Sequence, residues 1–208
     1  MKQFSKKEAI TFGWETTKKN FWFIVGVFFL SQLIPNIPQF MFSRWVEDNA
    51  FLTFIVITLN IALQFTITVG IITFALAYVD KKEPVLKKLV KDPKQVWNFF
   101  LVSMLTALIV IGGFILLIVP GIIFAIKLKF AGYFLIDMSM SPREAIKASW
   151  NMTTGIKWQL FLLDLINLGV VILGTLALGI GILVSIPVIS LAKAYVYRTL
   201  SKKEITSA

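Results

Sequence analysis

The sequence predicts an all-α, polytopic membrane protein with six transmembrane helices and both termini in the cytoplasm. Three observations support this fold class. The 208 residues are 57% hydrophobic with a mean hydropathy of +0.81, which is more apolar surface than a soluble domain with so few charges could cover. The apolar residues form long uncharged runs, and the basic residues collect in alternate connections between those runs.

Four apolar stretches occupy the first two thirds of the chain. About 20 apolar residues cross a hydrocarbon core of roughly 30 Å, and the runs 21–40, 51–79 and 96–119 contain no charge. The second run is long enough to tilt in the bilayer. Pro120-Gly121 predicts a tight turn after the third, and the fourth, 122–136, returns across the membrane.

The last apolar stretch, 156–197, is too long for one span and predicts two. Glycines mark the turn between them; these are Gly174, Gly179 and Gly181. No cleavable signal peptide is expected, because about twenty mostly polar residues precede the first apolar run.

Charge placement supports six spans and sets the orientation. Of the 21 lysines and arginines, a six-span chain puts 18 on one side, only Arg44 on the other, and two within the membrane. Basic loops remain in the cytoplasm, so we expect a multi-pass protein of the inner or plasma membrane with its two ends inside. An odd number of spans would scatter the same charges over both faces.

Two segments of the chain repeat each other 136 positions apart. Residues 5–10 read Ser-Lys-Lys-Glu-Ala-Ile, residues 141–146 read Ser-Pro-Arg-Glu-Ala-Ile, and each is followed by Trp, Thr and Trp at the same spacing. We interpret residues 1–208 as a single membrane domain built from a repeated unit, an amphipathic helix followed by a transmembrane hairpin. The units cover approximately 5–79, 82–137 and 141–198.

The helix that begins each unit is predicted to lie at the cytoplasmic interface. Ser5 with Glu8, and Ser141 with Glu144, fit a capping box. Tryptophan suits the boundary of the membrane and lysine faces anionic lipid, so the expected partners are the bilayer and its anionic lipids. A protein partner or a second copy of the chain is the alternative. The predicted interfacial anchors are Trp14, Trp22, Trp97, Trp150 and Trp158.

Several polar side chains fall inside the predicted spans, where an ionisable group is expensive and suggests function. Lys127 and Lys129 are two positions apart on a helix and face nearly opposite ways, so only one can point into the bundle. We hypothesise one buried polar cluster, with interhelical packing as its alternative role. Its members are Asn60, Gln64, Lys127 or Lys129, Asp164 and Asn167.

The composition argues against most chemistry. The chain has no cysteine and no histidine, which removes thiol chemistry, the commonest general base and a favoured zinc ligand. No cofactor fingerprint or metal-ligand spacing is present. We therefore predict no catalytic, cofactor-binding or metal-binding residues. The net charge of +10 follows from membrane orientation, so we expect no nucleic-acid partner.

The residues from Val119-Pro120-Gly121 onward resemble a known family. The matching positions continue through Lys127, Asp137, Gly155, Lys157-Trp158, Leu163-Asp164-Leu165 and Tyr197-Arg198. This segment is similar to the membrane domain of bacterial glycerophosphoryl diester phosphodiesterases and to related uncharacterised six-span proteins. The resemblance implies a membrane fold without enzymatic activity, because the phosphodiesterase chemistry of the fused enzymes belongs to a separate soluble barrel.

These observations favour a non-enzymatic integral membrane protein with a scaffold, regulatory or envelope-homeostasis role. The alternative is a transporter or channel for a small solute or lipid, which internal repeats and polar residues at mid-membrane would suit. A minor alternative is an immunity protein against a membrane-active peptide.

Overall fold

The computed structural model describes residues 4–46, 49–82, 92–176 and 181–206, and these residues form helices and no strand. The all-α prediction is therefore confirmed. The helices are α1 (Lys6–Lys19), α2 (Phe21–Leu33), α3 (Ile37–Val46), α4 (Ala50–Val79), α5 (Pro93–Leu116), α6 (Ile118–Leu128), α7 (Ala131–Met138), α8 (Pro142–Thr153), α9 (Lys157–Leu176) and α10 (Gly181–Thr206). A 3₁₀ turn, Ile34–Asn36, joins α2 to α3.

Six stretches of helix are long and apolar enough to cross a membrane, as the sequence predicted, and the chain is a multi-pass membrane protein. The spans are Phe21–Phe42, Ala50–Val79, Pro93–Leu116, Ile118–Met138, Lys157–Leu176 and Gly181–Lys202. Much of their surface is exposed and apolar, with Phe54 and Leu173 as examples. An apolar surface of this kind is what lipid requires. Gly179 lies outside the described residues. So do residues 83–91, where the unit 82–137 is predicted to begin with an interfacial helix.

The turn between the third and fourth spans differs from the prediction. Leu117 is the extended residue that separates α5 from α6, and Pro120-Gly121 lies inside the first turn of α6. Proline is tolerated there because the first N–H groups of a helix have no partner within it. Glycine is needed instead for close packing, since a Cβ on Gly113 would lie 2.9 Å from the Gly121 Cα.

The fourth span is interrupted at Lys129 and Phe130, between α6 and α7. Helix α8 bonds to the backbone at this break. The Ser149 hydroxyl donates to the Lys127 carbonyl at 2.8 Å and accepts from the Phe130 N–H at 3.2 Å, and Thr153 donates to the same carbonyl at 3.2 Å. These bonds satisfy backbone groups that a broken helix would otherwise leave unpaired.

Helices α1 and α8 pack onto the bundle through small residues. The buried positions of α8 include Ala145, Ser149 and Thr153; those of α1 are Ala9, Gly13 and Thr17. Each set is spaced four residues apart, which places it on one helix face. The two sets are 136 positions apart in the sequence, although the internal repeat itself stays a prediction. Gly13 permits the contact with α10, because a Cβ there would lie 2.3 Å from the Val188 carbonyl oxygen.

Helices α4, α7 and α10 surround the core. Tyr197 of α10 is fully buried, and its ring packs against Phe130, Tyr133 and Phe134. Helices α4 and α7 end at the same end of the bundle, beside Arg198 of α10. We call this the basic end, because Lys81 and Lys82 also follow α4 there.

Candidate functional site

The centre of the candidate site is an ion pair within the spans. Lys129, at the break between α6 and α7, donates from Nζ to Oδ1 of Asp164 in α9 at 2.6 Å. The lysine side chain is 12% exposed and the aspartate side chain 39%. Of the two lysines that the sequence offered, Lys129 is therefore the partner of Asp164. A charge in a span is expensive, and pairing offsets that cost.

Lys127 points elsewhere, as the helical spacing predicted. Its Nζ lies 3.6 Å from the centroid of the Trp150 ring in α8, a cation–π contact with the most favourable aromatic side chain. Phe124 packs against the same ring at 5.8 Å. The side chain of Lys127 is buried within its own chain.

The amide residues of the hypothesised cluster are not joined to the ion pair. Asn167 is 6% exposed, and neither its Oδ1 nor its Nδ2 has a hydrogen-bond partner among the described residues. Asn60 is half-buried and Gln64 is exposed on α4. Neither makes a side-chain hydrogen bond within the described part of the chain. Among the members of the hypothesised cluster, only Lys129 and Asp164 form a hydrogen bond with each other in the described part of the chain.

A second charged cluster lies at the basic end, around Arg198. Its Nη1 donates to Oδ2 of Asp137 at 2.8 Å, and its Nη2 donates to Oδ1 of Asp137 at 3.0 Å and to Oδ2 of Asp80 at 2.7 Å. The Tyr197 hydroxyl donates to Asp137 Oδ2 at 2.9 Å. The cluster joins the ends of α4, α7 and α10 through one guanidinium group.

Sequence reasoning missed this cluster. Neither Asp80 nor Asp137 was among the predicted site residues, whereas both carboxylates bind Arg198. A signal was present, because each of the three residues ends the second span of a predicted unit. In a six-span chain those three positions lie on the same side of the membrane, although topology does not determine which of the charges meet.

The predicted capping box is confirmed in α8 and half formed in α1. Glu144 accepts from the Ser141 N–H at 2.9 Å, and Ser141 Oγ accepts from the Glu144 N–H at 3.5 Å. The Ser141 hydroxyl also donates to the Glu144 carboxylate at 2.7 Å. This bond, together with the one from the Ser141 N–H, lowers the pKa of the exposed Glu144 carboxyl below its usual value. In α1, Ser5 accepts from the Glu8 N–H at 3.2 Å, but the Glu8 carboxylate lies 3.5 Å from the Tyr195 hydroxyl.

Four of the five predicted anchor tryptophans are exposed. The exposed fraction is 86% for Trp22, 70% for Trp158, 60% for Trp97 and 53% for Trp14. Trp150 is half-buried beneath Lys127. Trp22, Trp97 and Trp158 each lie in the first turns of a span.

Both clusters join carboxylates to cations that are already hydrogen-bonded to them. Among the described residues, no group of three or more Asp or Glu side chains could hold a metal ion.

Comparisons with known proteins find a family and several similar proteins. Residues 107–204 match a family described as "Protein of unknown function (DUF975)". Uncharacterized protein Rv2560 of Mycobacterium tuberculosis is 32% identical over 139 residues, which are 67% of this chain and 42% of that protein. Uncharacterized protein Mb2590 of Mycobacterium bovis is 34% identical over 140 residues, with the same coverage of both chains.

The chain spans less than half the length of these curated relatives. No solved structure matches it. Helices α6 to α9 and most of α10 fall within the matched segment, so both charged clusters draw most of their residues from it. Over this segment, the chain is similar to a family whose function is unknown.

Proposed function

We propose that this protein is a non-enzymatic scaffold of the cell membrane, with both termini in the cytoplasm and α1 and α8 on its cytoplasmic side. The observation that supports this function most directly is the exposure of Trp22 and Trp158 beside Lys19 and Lys157. Indole rings partition to the boundary of the membrane, and lysines there attract anionic lipid. The basic end would therefore sit in the anionic cytoplasmic leaflet.

The manner in which α1 and α8 are held supports a scaffold. Their small residues pack against the bundle, so the remaining faces of each helix stay available, with Trp14 exposed on α1 and Lys147 exposed on α8. Helices fixed in this way present a surface without having to be ordered when a partner binds, which lowers the entropy cost of binding.

The orientation can be tested with single cysteines, because the natural chain has none. Ala50→Cys lies at the exposed start of α4, and Lys82→Cys lies at the basic end. A membrane-impermeant maleimide should label Ala50→Cys in intact cells and Lys82→Cys only after lysis. The opposite pattern would reverse the proposed orientation.

The scaffold role can be tested by photo-crosslinking in living cells. A photoreactive amino acid would replace Trp14, with a matched control at Phe54, which is 67% exposed on a membrane span. We expect the same protein adduct in repeated experiments at position 14 and lipid adducts at position 54. Lipid adducts alone at both positions would contradict a protein-binding scaffold.

The ion pair between Lys129 and Asp164 favours a second candidate, a transporter or channel for a small solute or lipid. Paired charges within spans often mark substrate or ion pathways. Solute flux into vesicles containing the purified protein, compared with Asp164→Asn vesicles, tests this candidate. Flux that the substitution abolishes would favour transport over the scaffold.

We also propose that this chain is related to the membrane domain of glycerophosphoryl diester phosphodiesterases. This proposal is based on the residues from Val119 to Arg198 that resemble that family. An experimental structure of such a membrane domain would test it, because a common fold should reproduce the break at Lys129 and the contact between Arg198 and Asp137.

A further inference from the structure

A cavity of about 230 Å³ lies between α4, α10 and the break that precedes α7. Its volume is several times the roughly 30 Å³ that one water molecule occupies in the liquid. Apolar side chains form part of the wall. The polar residues that line it are Thr68, Lys129, Tyr133, Ser190 and Lys193.

The cavity carries an excess of positive charge. Lys129 is paired with Asp164, but Lys193 has no ion pair among the residues that the structure describes. Both lysines line the same cavity. Two cations and one carboxylate leave a net charge of about +1 in a region where charge is expensive, so a negative partner would stabilise the arrangement.

Hydroxyl groups surround this charge. Thr68 donates its own proton to the Gln64 carbonyl at 2.7 Å, whereas the hydroxyls of Tyr133 and Ser190 make no hydrogen bond to the described part of the chain. Both can donate into the cavity. With Lys193, they provide three separate donors, and Lys129 has two further protons besides the one it gives to Asp164.

We propose that this cavity binds a singly charged oxyanion. Several donors from two helices, α7 and α10, and from the break at Lys129 match an anion with several oxygen atoms, and lysine is a common ligand of phosphate groups. The net positive charge of Lys129, Lys193 and Asp164 together matches one negative charge. A phospholipid headgroup such as that of phosphatidylglycerol and free phosphate share this chemistry. The site does not depend on the proposed scaffold role.

Native mass spectrometry of the purified full-length chain tests the proposal. Phosphatidylglycerol and the zwitterionic phosphatidylcholine would be added at equal concentration, and the adducts that survive detergent removal would be counted. We expect one retained phosphatidylglycerol in the wild type and at least about tenfold fewer adducts in Lys193→Met, because the substitution removes a charged hydrogen-bond donor to the anion.

Two further variants make the test specific. Lys193→Arg keeps the charge and should retain the lipid, which also shows that position 193 tolerates substitution. Lys147→Met removes an exposed lysine from α8 and should leave the adduct unchanged. Equal retention by the wild type and Lys193→Met would overturn the site, since the lipid would then bind elsewhere.

A second arm identifies the source of the anion. Sodium phosphate would be titrated into the protein in phosphatidylcholine nanodiscs, with sodium chloride at the same ionic strength as the control, while the melting temperature is recorded. A rise specific to phosphate in the wild type that is lost in Lys193→Met assigns the site to the free anion. An absence of both the phosphatidylglycerol adduct and the phosphate effect would overturn the proposal.

Discussion

Arg198 binds Asp137 through two hydrogen bonds, one from each terminal nitrogen of the guanidinium group, at 2.8 and 3.0 Å. Such a bidentate pair fixes both distance and orientation, which a lysine cannot do. Because Nη2 also donates to Asp80, one side chain sets the relative position of three helix ends. The spacing of α4, α7 and α10, which line the cavity, therefore depends on Arg198.

Removing Arg198 should destabilise the bundle. Arg198→Met leaves Asp80 and Asp137 close together without a cation, and we expect a loss on the order of 2 kcal/mol, below the ~3–5 kcal/mol of a fully buried pair. The discount reflects side chains that are 16% to 22% exposed. Thermal unfolding in detergent measures the effect.

Two companion variants test the cause of that loss. Arg198→Lys should fall between the wild type and Arg198→Met, because it keeps the charge without the bidentate geometry. Asp80→Asn and Asp137→Asn, added together to Arg198→Met, should recover much of the stability that Arg198→Met loses, because they remove the repulsion between the two carboxylates. If Arg198→Lys were as stable as the wild type, the bidentate geometry would contribute nothing.

The pair formed by Lys129 and Asp164 should survive exchange of its charges. Lys129→Asp and Asp164→Lys alone each place two like charges side by side and should reduce the amount of folded protein in the membrane. The double variant should restore much of it, measured as monodisperse protein after extraction. Lys127→Asp with Asp164→Lys is the matched control and should give no rescue, because Lys127 contacts Trp150.

Gly13 and Gly26 provide a comparison of two helical glycines. Gly13→Ala pushes a methyl group into the backbone of Val188, and overpacking of this kind costs about 1–3 kcal/mol. Gly26→Ala meets open space and should be neutral or stabilising by up to ~1 kcal/mol. Trypsin cleavage at Lys18 and Lys19, which are exposed, should become faster only in Gly13→Ala. Equal rates would show that α1 does not depend on this contact.

The capping box of α8 predicts a pH dependence. The pKa of Glu144 is lowered by its hydrogen bonds with Ser141, so the carboxylate stabilises α8 at every pH above the usual Glu value of about 4.3. That contribution is lost as the pH falls further, through the lowered pKa. Melting temperatures of the wild type and Glu144→Gln should therefore differ at pH 6 and converge toward pH 3. A constant difference would contradict the assignment.

The elements that the sequence predicted best depend on the composition of a single segment or on residues that are close together in the chain. Five apolar runs, the last long enough for two spans, predicted six spans because spanning lipid requires a minimum length of apolar helix. The capping box of α8 was predicted because its partners are three residues apart. The turn at Pro120-Gly121 was predicted wrongly, since proline and glycine fit the first turn of α6 as well as they fit a loop.

The candidate site was predicted in part, for a related reason. The opposite orientation of Lys127 and Lys129 follows from helical geometry, but nothing in the spacing indicates which of them faces Asp164. That choice depends on the break at Phe130 and on the position of α8, whose Ser149 and Trp150 occupy the other side. Asn60 and Gln64 of the hypothesised cluster share a face of α4 with Thr68. Thr68 lines the cavity, whereas Asn60 and Gln64 do not.

By itself, the sequence determined that this protein is an all-α chain with six membrane spans, because length, hydropathy and charge act locally and add along the chain. The tertiary structure alone decided which charges meet. Arg198 reaches Asp80 and Asp137 across 118 and 61 residues, and Lys129 reaches Asp164 across 35. Such contacts depend on how whole helices pack, and small residues such as Gly13 and Ser149 control that packing by allowing the backbones to approach.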